Sequence, residues 1–211
     1  MNATELIRSR YLLAAICLAL LAGLAQYAMG RVWWCECGLA NLWSGEIASM
    51  HNSQHLFDPY TFTHILHGIG FYALLWLILS RWAGQGLRFT IAIGLEAVWE
   101  VIENTSLVIE RYRESTISLG YYGDSILNSF ADIAACAAGY LLALWLPVWI
   151  SFVIFFGVEA ALLWWIRDSL LLNIIMLIRP LDSVREWQMG VDSKFEIRDP
   201  RFGLRDLKFW S

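Results

Sequence analysis

The stretch FTIAIGLEAVWEVIENTS, residues 89–106, combines an apolar run long enough for a transmembrane helix with three acidic side chains. Glu96, Glu100 and Glu103 follow one another at spacings of four and three residues, which places their carboxylates on one face of a helix. An ionised residue at mid-bilayer costs about 2.5 to 3.5 kcal/mol, whereas each large apolar residue returns only about 0.3 to 0.6 kcal/mol. This helix therefore needs polar partners, water or protonated carboxyl groups to lie in a membrane.

The rest of the 211-residue chain also has the composition of a membrane protein. Hydrophobic residues make up 58% of it, charged residues make up 16%, and the mean hydropathy is +0.53. These values are too apolar for one soluble domain of this size. The net charge of -4 and the lack of a long basic run give no electrostatic case for a nucleic-acid partner. The expected partner is therefore the lipid bilayer.

Apolar stretches near the roughly 20 residues that a transmembrane helix needs occur at 11–29, 64–80, 88–107, 127–147 and 149–166. The first is expected to be an uncleaved span, because it is long for a signal peptide and lacks a clean small-x-small exit. The apolar segment 169–178 is too short to cross and is predicted to be re-entrant or interfacial. The predicted fold is an all-α polytopic membrane helix bundle with about five transmembrane helices. Residues 1–179 form its helical domain, and 180–211 form a polar C-terminal tail.

The distribution of arginines predicts an orientation for this bundle. The arginines near the N-terminus and in the turn at 81–88 favour a cytoplasmic N-terminus, which makes the loops at 30–63 and 108–126 periplasmic. Five spans then place the tail outside, and the arginines of the tail oppose that arrangement. Because the first helix usually dominates, we expect a multi-pass protein of the bacterial cell inner membrane with its N-terminus inside.

A second polar stripe lies at the start of the span predicted at 127–147. Asp124, Asn128 and Asp132, in GDSILNSFADI, recur every four residues and so share one helix face. Glu100 and Asp132 each lie about seven residues, or roughly 10 Å, below the surface joined by the 108–126 loop. The two carboxyl groups are therefore expected to meet at one depth, and two carboxyl groups in a dry site titrate apart, as general acid/base catalysis requires.

The four histidines, His51, His55, His64 and His67, fall within 17 residues of one another. The second pair opens the span at 64–80 and enters the bilayer from the same surface as the acidic stripes. Imidazoles beside carboxylates suit a divalent metal or an acid/base site, but they also serve as hydrogen-bonding partners that hold a bundle together. The candidate metal ligands are His64, His67, Glu96, Glu100 and Glu103.

The candidate catalytic residues are Glu100 and Asp132 as acid/base pair or metal ligands, His67 as their partner, and Asp124 and Asn128. Arg111 and Arg113, near the loop, are expected to bind a phosphate head group at the membrane surface.

Three further features lie outside this set of candidates. His51 and His55 lie in a solvated loop and are expected to have no site role. Cys35-x-Cys37 does not have the usual zinc or redox spacing, so free thiols or a loop disulfide are expected. Glu159, a lone carboxylate in an apolar stretch, is expected to pair inward, with the polar cluster as a candidate partner.

Nearly the whole chain after residue 30 resembles a family of uncharacterised multi-pass inner-membrane proteins of alphaproteobacteria. The motifs that carry this resemblance are CECG at 35–38, LWSGE at 42–46, NSQH at 52–55, DPYTFTHILHGIGFY at 58–72, EAVWEVIEN at 96–104, ERYR at 110–113, GYYGDSILNSFADI at 120–133, IRDSLLLNIIMLIRP at 166–180 and WQ at 187–188. The resemblance implies a place in the cell membrane and no particular activity.

A looser likeness is to VanZ-like membrane proteins, which are associated with glycopeptide resistance at the cell envelope. Their order of His, Glu, Arg and Asp-x-x-x-Asn is similar to His67, Glu100, Arg113, Asp124 and Asn128. The glycine that usually follows the asparagine is missing here, where Ala131 and Asp132 stand instead.

These features favour a membrane-embedded enzyme that acts on a lipid or lipid-linked cell-envelope substrate, with a divalent metal as the possible cofactor. The alternative is a non-enzymatic assembly factor or a small transporter, in which the polar stripes form structural hydrogen bonds or a proton path. The sequence leaves open whether the chain is an enzyme.

Overall fold

The computed structural model describes residues 9–39, 41–116 and 120–190, and most of these residues are helical. The helices are α1 (Ser9–Ala28), α2 (Thr61–Leu79), α3 (Gln85–Glu103), α4 (Ser106–Ser115), α5 (Ile126–Trp145), α6 (Val148–Ile166), α7 (Leu170–Ile178) and α8 (Asp182–Met189). In these ranges β-structure is limited to an isolated bridge between Trp43 and Phe57. The predicted all-α fold is confirmed.

Four of the helices are long and apolar enough to cross a membrane, namely Arg10–Ala28, Thr61–Leu79, Ile126–Trp145 and Val148–Ile166. They coincide with four of the predicted spans. The predicted fifth span is α3, whose 19 residues match the length of α2. Because α3 carries Arg88 together with the three glutamates, its composition alone does not mark it as a membrane span.

The charged side of α3 faces the interior of the bundle. Arg88, Glu96 and Glu100 are buried, whereas Leu95 and Val98 are exposed on the outer side of the same helix. The apolar face of α3 shares a core with α1, α2 and α5, built from Ala15, Ala22, Leu75, Phe89, Ala92, Ile93, Ala97, Ile133 and Tyr140. The polar partners that the sequence of α3 requires are therefore supplied by its neighbours in the bundle.

Two glycines bring α2 and α5 into backbone contact. A Cβ atom at Gly68 would overlap the carbonyl oxygen of Cys136, and one at Gly139 would overlap the carbonyl oxygen of Ile65. Small residues at such positions are the usual means by which membrane helices approach closely. The contact holds His64 of α2 close to Asp132 of α5, with 3.8 Å between His64 Nε2 and Asp132 Oδ2.

The short apolar segment predicted at 169–178 forms α7, whose nine residues are too few to cross a bilayer. Glu159 of α6 accepts hydrogen bonds from the backbone amide of Leu171, at 3.4 Å and 3.3 Å from its two oxygens. This carboxylate therefore pairs inward, as expected, but its hydrogen-bond partner belongs to α7 and not to the polar cluster.

The first part of the predicted polar tail is helical and contacts the bundle. Gln188 of α8 donates to the carbonyl oxygen of Arg167 at 3.0 Å and to Asp168 Oδ1 at 3.3 Å. The remainder of the tail, 191–211, lies outside the described residues. The boundary predicted between 179 and 180 therefore stays a prediction.

Candidate functional site

Glu96 on α3 joins two histidines of α2. Its Oε1 atom lies 2.5 Å from His64 Nδ1, and its Oε2 atom lies 3.0 Å from His67 Nδ1. Glu96 is fully buried. Because an ionised carboxylate can only accept hydrogen bonds, both Nδ1 atoms are the donors, so in the neutral form of each imidazole the Nε2 atom carries the lone pair. Each imidazole is thereby oriented as a base or as a metal ligand.

The two carboxyl groups predicted to act as a pair lie on either side of His64. Glu100 Oε1 is 3.4 Å from His64 Nδ1, and Asp132 Oδ2 is 3.8 Å from His64 Nε2. Both groups are buried, and the Thr61 hydroxyl hydrogen-bonds Asp132. The structure brings Glu100 and Asp132 together around one imidazole, as their equal depth below the loop predicted.

These carboxyl groups keep unused hydrogen-bonding capacity. Within the described part of the chain, neither oxygen of Glu100 has a hydrogen-bond partner, and the same holds for Asp132 Oδ1. A buried ionised carboxylate without a partner is strongly unfavourable. The pair therefore requires either a proton or a cation.

The other two candidates, Asp124 just before α5 and Asn128 in its first turn, are held by neighbouring groups. Asp124 accepts from Asn104 Nδ2 and from the Tyr121 hydroxyl, both at 2.9 Å. Burial raises the pKa of Asp124, although these two donors favour its ionised form. Asn128 is buried under the loop that joins α1 to α2, and its Nδ2 atom donates to the carbonyl oxygen of Leu56 at 3.5 Å. Both side chains organise the polar end of the bundle.

A cavity of about 360 Å³ adjoins the cluster. Its titratable lining comprises His64, His67, Glu103, Tyr60, Tyr112, Tyr121, Asp124 and Asp132, and its apolar lining includes Phe71, Leu95, Val98, Trp99, Ile102, Leu170, Ile174 and Leu177. Several apolar members, among them Val98 and Ile174, are exposed on the outside of the bundle. The cavity therefore connects the polar interior with the apolar outer surface of α3 and α7. Among the described residues that line it, none is an arginine or a lysine.

The polar end of the cavity contains three tyrosines. Tyr112 hydrogen-bonds Glu103, and Tyr60 donates to Asp168 Oδ2 at 3.1 Å. Burial raises the pKa of Tyr112 and Tyr121 well above the usual value, so both hydroxyl groups stay neutral donors. Burial also raises the pKa of Asp168 to about 7, against the opposing effect of the Ser169 amide and the Tyr60 hydroxyl.

The two arginines predicted to bind a head group contact backbone carbonyls. Arg111 Nε donates to the carbonyl oxygen of Leu177 at 2.9 Å and so ties α4 to α7. Arg113 Nε donates to the carbonyl oxygen of Tyr121. Neither arginine lines the polar cavity; Arg111 lies at a separate surface depression beside Glu110 and Glu114. Their role in substrate binding stays a prediction.

Three residues at the polar end were not predicted from the sequence. Gln26 of α1 is fully buried and donates to the Glu100 carbonyl oxygen at 3.1 Å and to Ser129 Oγ at 2.8 Å. Arg31 donates to the carbonyl oxygens of Asp124 and Tyr122, at 3.0 Å and 2.7 Å. Asp58 accepts the backbone amides of Ser53, Tyr60 and Thr61. The sequence did contain a signal for each of them. Gln26 is a lone amide in an apolar run, Arg31 follows that run, and Asp58 lies just before a helix.

A second cluster lies in the loop between α1 and α2. One ligand atom from each of Cys35, Cys37, His51 and His55 lies within 4.8 Å of all the others. Both cysteines are free thiols, and Cys35 Sγ is 3.3 Å from His51 Nδ1. From the sequence, the histidines were expected to have no site role, and the cysteines were expected to be free thiols or to form a loop disulfide. The structure brings all four side chains together.

The fold and the site together define a helical bundle whose apolar helices suit a lipid bilayer and whose interior holds imidazoles and carboxyl groups. The chain belongs to the family described as "Protein of unknown function (DUF2585)", whose model matches residues 26–190. That range contains both clusters.

Curated relatives of the chain include UPF0314 proteins. The relative from Paracoccus denitrificans (strain Pd 1222) is 49% identical over 178 residues, which cover 84% of this chain and 92% of the relative. The relative from Sinorhizobium fredii (strain NBRC 101917 / NGR234) is 48% identical over 186 residues, or 87% of this chain and 94% of the relative. The resemblance to an alphaproteobacterial family is confirmed, and the likeness to VanZ-like proteins stays a prediction. No solved structure matches the chain.

Proposed function

We propose that the protein is a membrane-embedded enzyme that acts on the head group of a lipid or lipid-linked cell-envelope substrate. The observation that carries this proposal is the shape of the cavity. Its apolar side is exposed along α3 and α7, and its polar side presents His64, His67 and Asp132. A pocket with convergent polar groups at one end suits an amphipathic molecule, whose chain remains among the apolar side chains.

The proposed topology has α1, α2, α3, α5 and α6 as spans of the bacterial inner membrane. The hydrogen bonds from Gln26 to the Glu100 carbonyl and to Ser129 support it, because they join the end of α1, the end of α3 and the start of α5 at one level. With the N-terminus inside, that level lies in the periplasmic half of the membrane. A head group would then approach the cluster from the side on which the cell envelope is built.

The two carboxyl groups take different roles in this proposal. Asp132 lines the cavity, whereas Glu100 lies behind His64 and does not. Asp132 is therefore the carboxyl group that touches the substrate and supplies a proton to it, and Glu100 acts through His64. His67 also lines the cavity, and its free Nε2 atom is the base that activates a water or hydroxyl group.

The same residues also suit a divalent cation. His64, Glu100 and Asp132 offer ligand atoms within 4.8 Å of one another, and so do His64, His67 and Glu96. Nitrogen and oxygen donors of this kind bind zinc, iron or manganese. Because the described lining has no arginine or lysine, a phosphate-bearing head group would require such a cation or a protonated imidazole to balance its charge. Under this proposal Arg111 and Arg113 would meet only the outermost part of the head group.

The proposal is tested by the lipid and lipoprotein profile of a deletion strain. We expect one species to accumulate, to be cleared by the wild type and to persist with Asp132→Asn. Asp182→Asn is the matched control, since Asp182 lies in the first turn of α8 and is exposed. If Asp132→Asn clears the species as well as the control does, or if the deletion changes nothing, a non-enzymatic assembly role replaces the enzyme.

A second measurement separates an enzyme from a transporter. The accumulated species is incubated with the purified protein in detergent, where no compartments exist. Chemical conversion that is lost in Asp132→Asn supports the enzyme. If the species stays intact with active wild-type protein, transport is the better explanation.

A further inference from the structure

The loop cluster has the ligand set of a zinc-type metal centre. Two thiols and two imidazoles are the Cys₂His₂ set that binds Zn²⁺ tetrahedrally in structural sites. Softer donors of this kind distinguish it from the cluster in the bundle, which consists of imidazoles and carboxyl groups. The spacing His51-x-x-x-His55 is also usual for a zinc-binding histidine pair.

The distances within the cluster suit a single ion. With Zn–S near 2.3 Å and Zn–N near 2.0 Å, tetrahedral ligand atoms stand roughly 3.3 to 3.8 Å apart. Cys35 Sγ and His51 Nδ1 already have this separation, at 3.3 Å. The other ligand atoms lie within 4.8 Å, so side-chain rotations are enough to close the shell. The long 3.3 Å hydrogen bond from the Asn41 amide to His55 Nδ1 is then exchanged for the metal bond.

The surroundings of Cys35 also fit a metal thiolate. Its side chain is 1% exposed, and its sulfur accepts the backbone amide of Cys37 at 3.3 Å. The Cys35 backbone amide donates to the carbonyl oxygen of Gln54 at 3.1 Å, which joins the two halves of the loop next to the cluster. The exposed thiol of Cys37 gives an ion a path from solvent.

We propose that Cys35, Cys37, His51 and His55 bind one zinc-type divalent ion, which holds the loop between α1 and α2 in place. With four protein ligands the site is closed, so its role is structural. This inference does not depend on the proposed enzymatic function.

An ion bound in this loop would stabilise the loop segment that lies over the cavity. Next to His51 and His55, Asn52 and Ser53 line the cavity, and the Ser53 carbonyl oxygen accepts the Ser125 amide at 2.9 Å. Gln54 donates to the carbonyl oxygen of Gly123 at 2.6 Å. The ion therefore fixes the loop segment that covers the polar end of the cavity.

The first test is the metal content of the full-length protein purified in detergent. We expect Cys35→Ser and His55→Gln to carry one equivalent of zinc less than the wild type. Cys17→Ser is the matched control, because Cys17 is an exposed free thiol on α1, and it should keep the full amount. Asp132→Asn should also keep the zinc ion of the loop. This variant therefore distinguishes that ion from any ion bound in the bundle. Equal zinc in wild type and Cys35→Ser overturns the inference.

A second test needs no variant that could misfold. The wild-type metal is removed with a chelator and replaced by Co²⁺, whose bonds to thiolates give a charge-transfer absorption in the near ultraviolet. We expect this absorption at one equivalent of cobalt, in the wild type and in Cys17→Ser. Cobalt binding without a thiolate band overturns the inference, and so does a Cys35–Cys37 disulfide in protein isolated without reductant.

Discussion

The two pairs of histidines differ in the ligands that surround them and in their access to the exterior. His64 and His67 share the carboxylate of Glu96 and border a cavity of about 360 Å³. His51 and His55 stack on each other at 5.3 Å beside two thiols in the loop. The first pair borders a space that a molecule can occupy, whereas the second pair has its ring nitrogens close to two thiol sulfurs.

The comparison shows that the neighbours of an imidazole decide which chemistry it can perform. A carboxylate that accepts from Nδ1 leaves Nε2 as a base, which is the arrangement of an acid/base site. Two thiolates complete a coordination shell and leave no open position. We therefore propose an acid/base role for the pair in the bundle and a structural role for the pair in the loop, and four substitutions test this division.

The largest effect is expected from Glu96→Gln. The amide can donate as well as accept, so it no longer fixes both Nδ1 atoms as donors. Clearance of the accumulated species should fall about 10²-fold to 10⁴-fold, the usual contribution of general acid/base catalysis. The assay is conversion by the purified variant, with Glu186→Gln on exposed α8 as the matched control. The cobalt–thiolate band of the loop should stay unchanged; its loss would mean that the two pairs are not independent.

A smaller effect is expected from Gly68→Ala, which disturbs the close contact between α2 and α5. In Gly68→Ala the new methyl group meets the carbonyl oxygen of Cys136, a backbone atom that cannot rotate away. We expect a loss of about 1 to 3 kcal/mol in the free energy of unfolding, as for other overpacked contacts. Unfolding in mixed micelles measures it.

Gly70→Ala is the control on the same helix, because nothing lies within 4 Å of the position that its new methyl group would take. It should leave the stability unchanged or raise it slightly, since alanine favours a helix. Equal losses in both variants would show that the close approach of α2 and α5 at Gly68 is not the cause of the loss.

The sequence predicts contacts that follow from helical periodicity, and it does not predict contacts that depend on the path of a loop. Glu96 and Glu100 follow helical spacing, and their depth can be counted from the loop, so the meeting of Glu100 with Asp132 was predictable. The loop cluster depends instead on the path of residues 30–60, which no periodic pattern describes. Helix α4 was also missed, although Thr105 caps it by accepting the Val108 amide.

A pH effect is expected at the junction of the two regions, where Asp58 links the loop to the start of α2. Burial raises the pKa of Asp58 to about 6 from an ordinary value of 3.8, with the nearby Asp124 acting in the same direction. Between these values the folded protein holds a proton that the unfolded chain releases. Asp58 should therefore contribute a fall in stability as the pH rises from about 4 to about 6, of at most about 1.4 kcal/mol per pH unit.

Unfolding free energies across this range measure the slope. Asp58→Asn should reduce it, because the amide does not titrate, and the raised pKa values of Asp124 and Asp168 contribute to what remains. Asp182→Asn should leave the slope unchanged. A stability that rises with pH in the wild type would contradict the assignment.

The smallest effect is expected for Arg111→Ala. Arg111 does not line the cavity, but it contacts Leu177, which does. The guanidinium bonds the carbonyl oxygen of Leu177 and joins α4 to α7, so its removal should cost about 0.5 to 1.5 kcal/mol of stability. Conversion of the substrate should change little, since Arg111 does not line the cavity. Arg179→Ala, at an exposed arginine, is the control for lost charge. Arg111→Ala could instead keep its stability and raise the substrate concentration needed for half-maximal conversion. That result would show that the arginine binds the head group. The polar surface used by the substrate would then extend beyond the histidine pair.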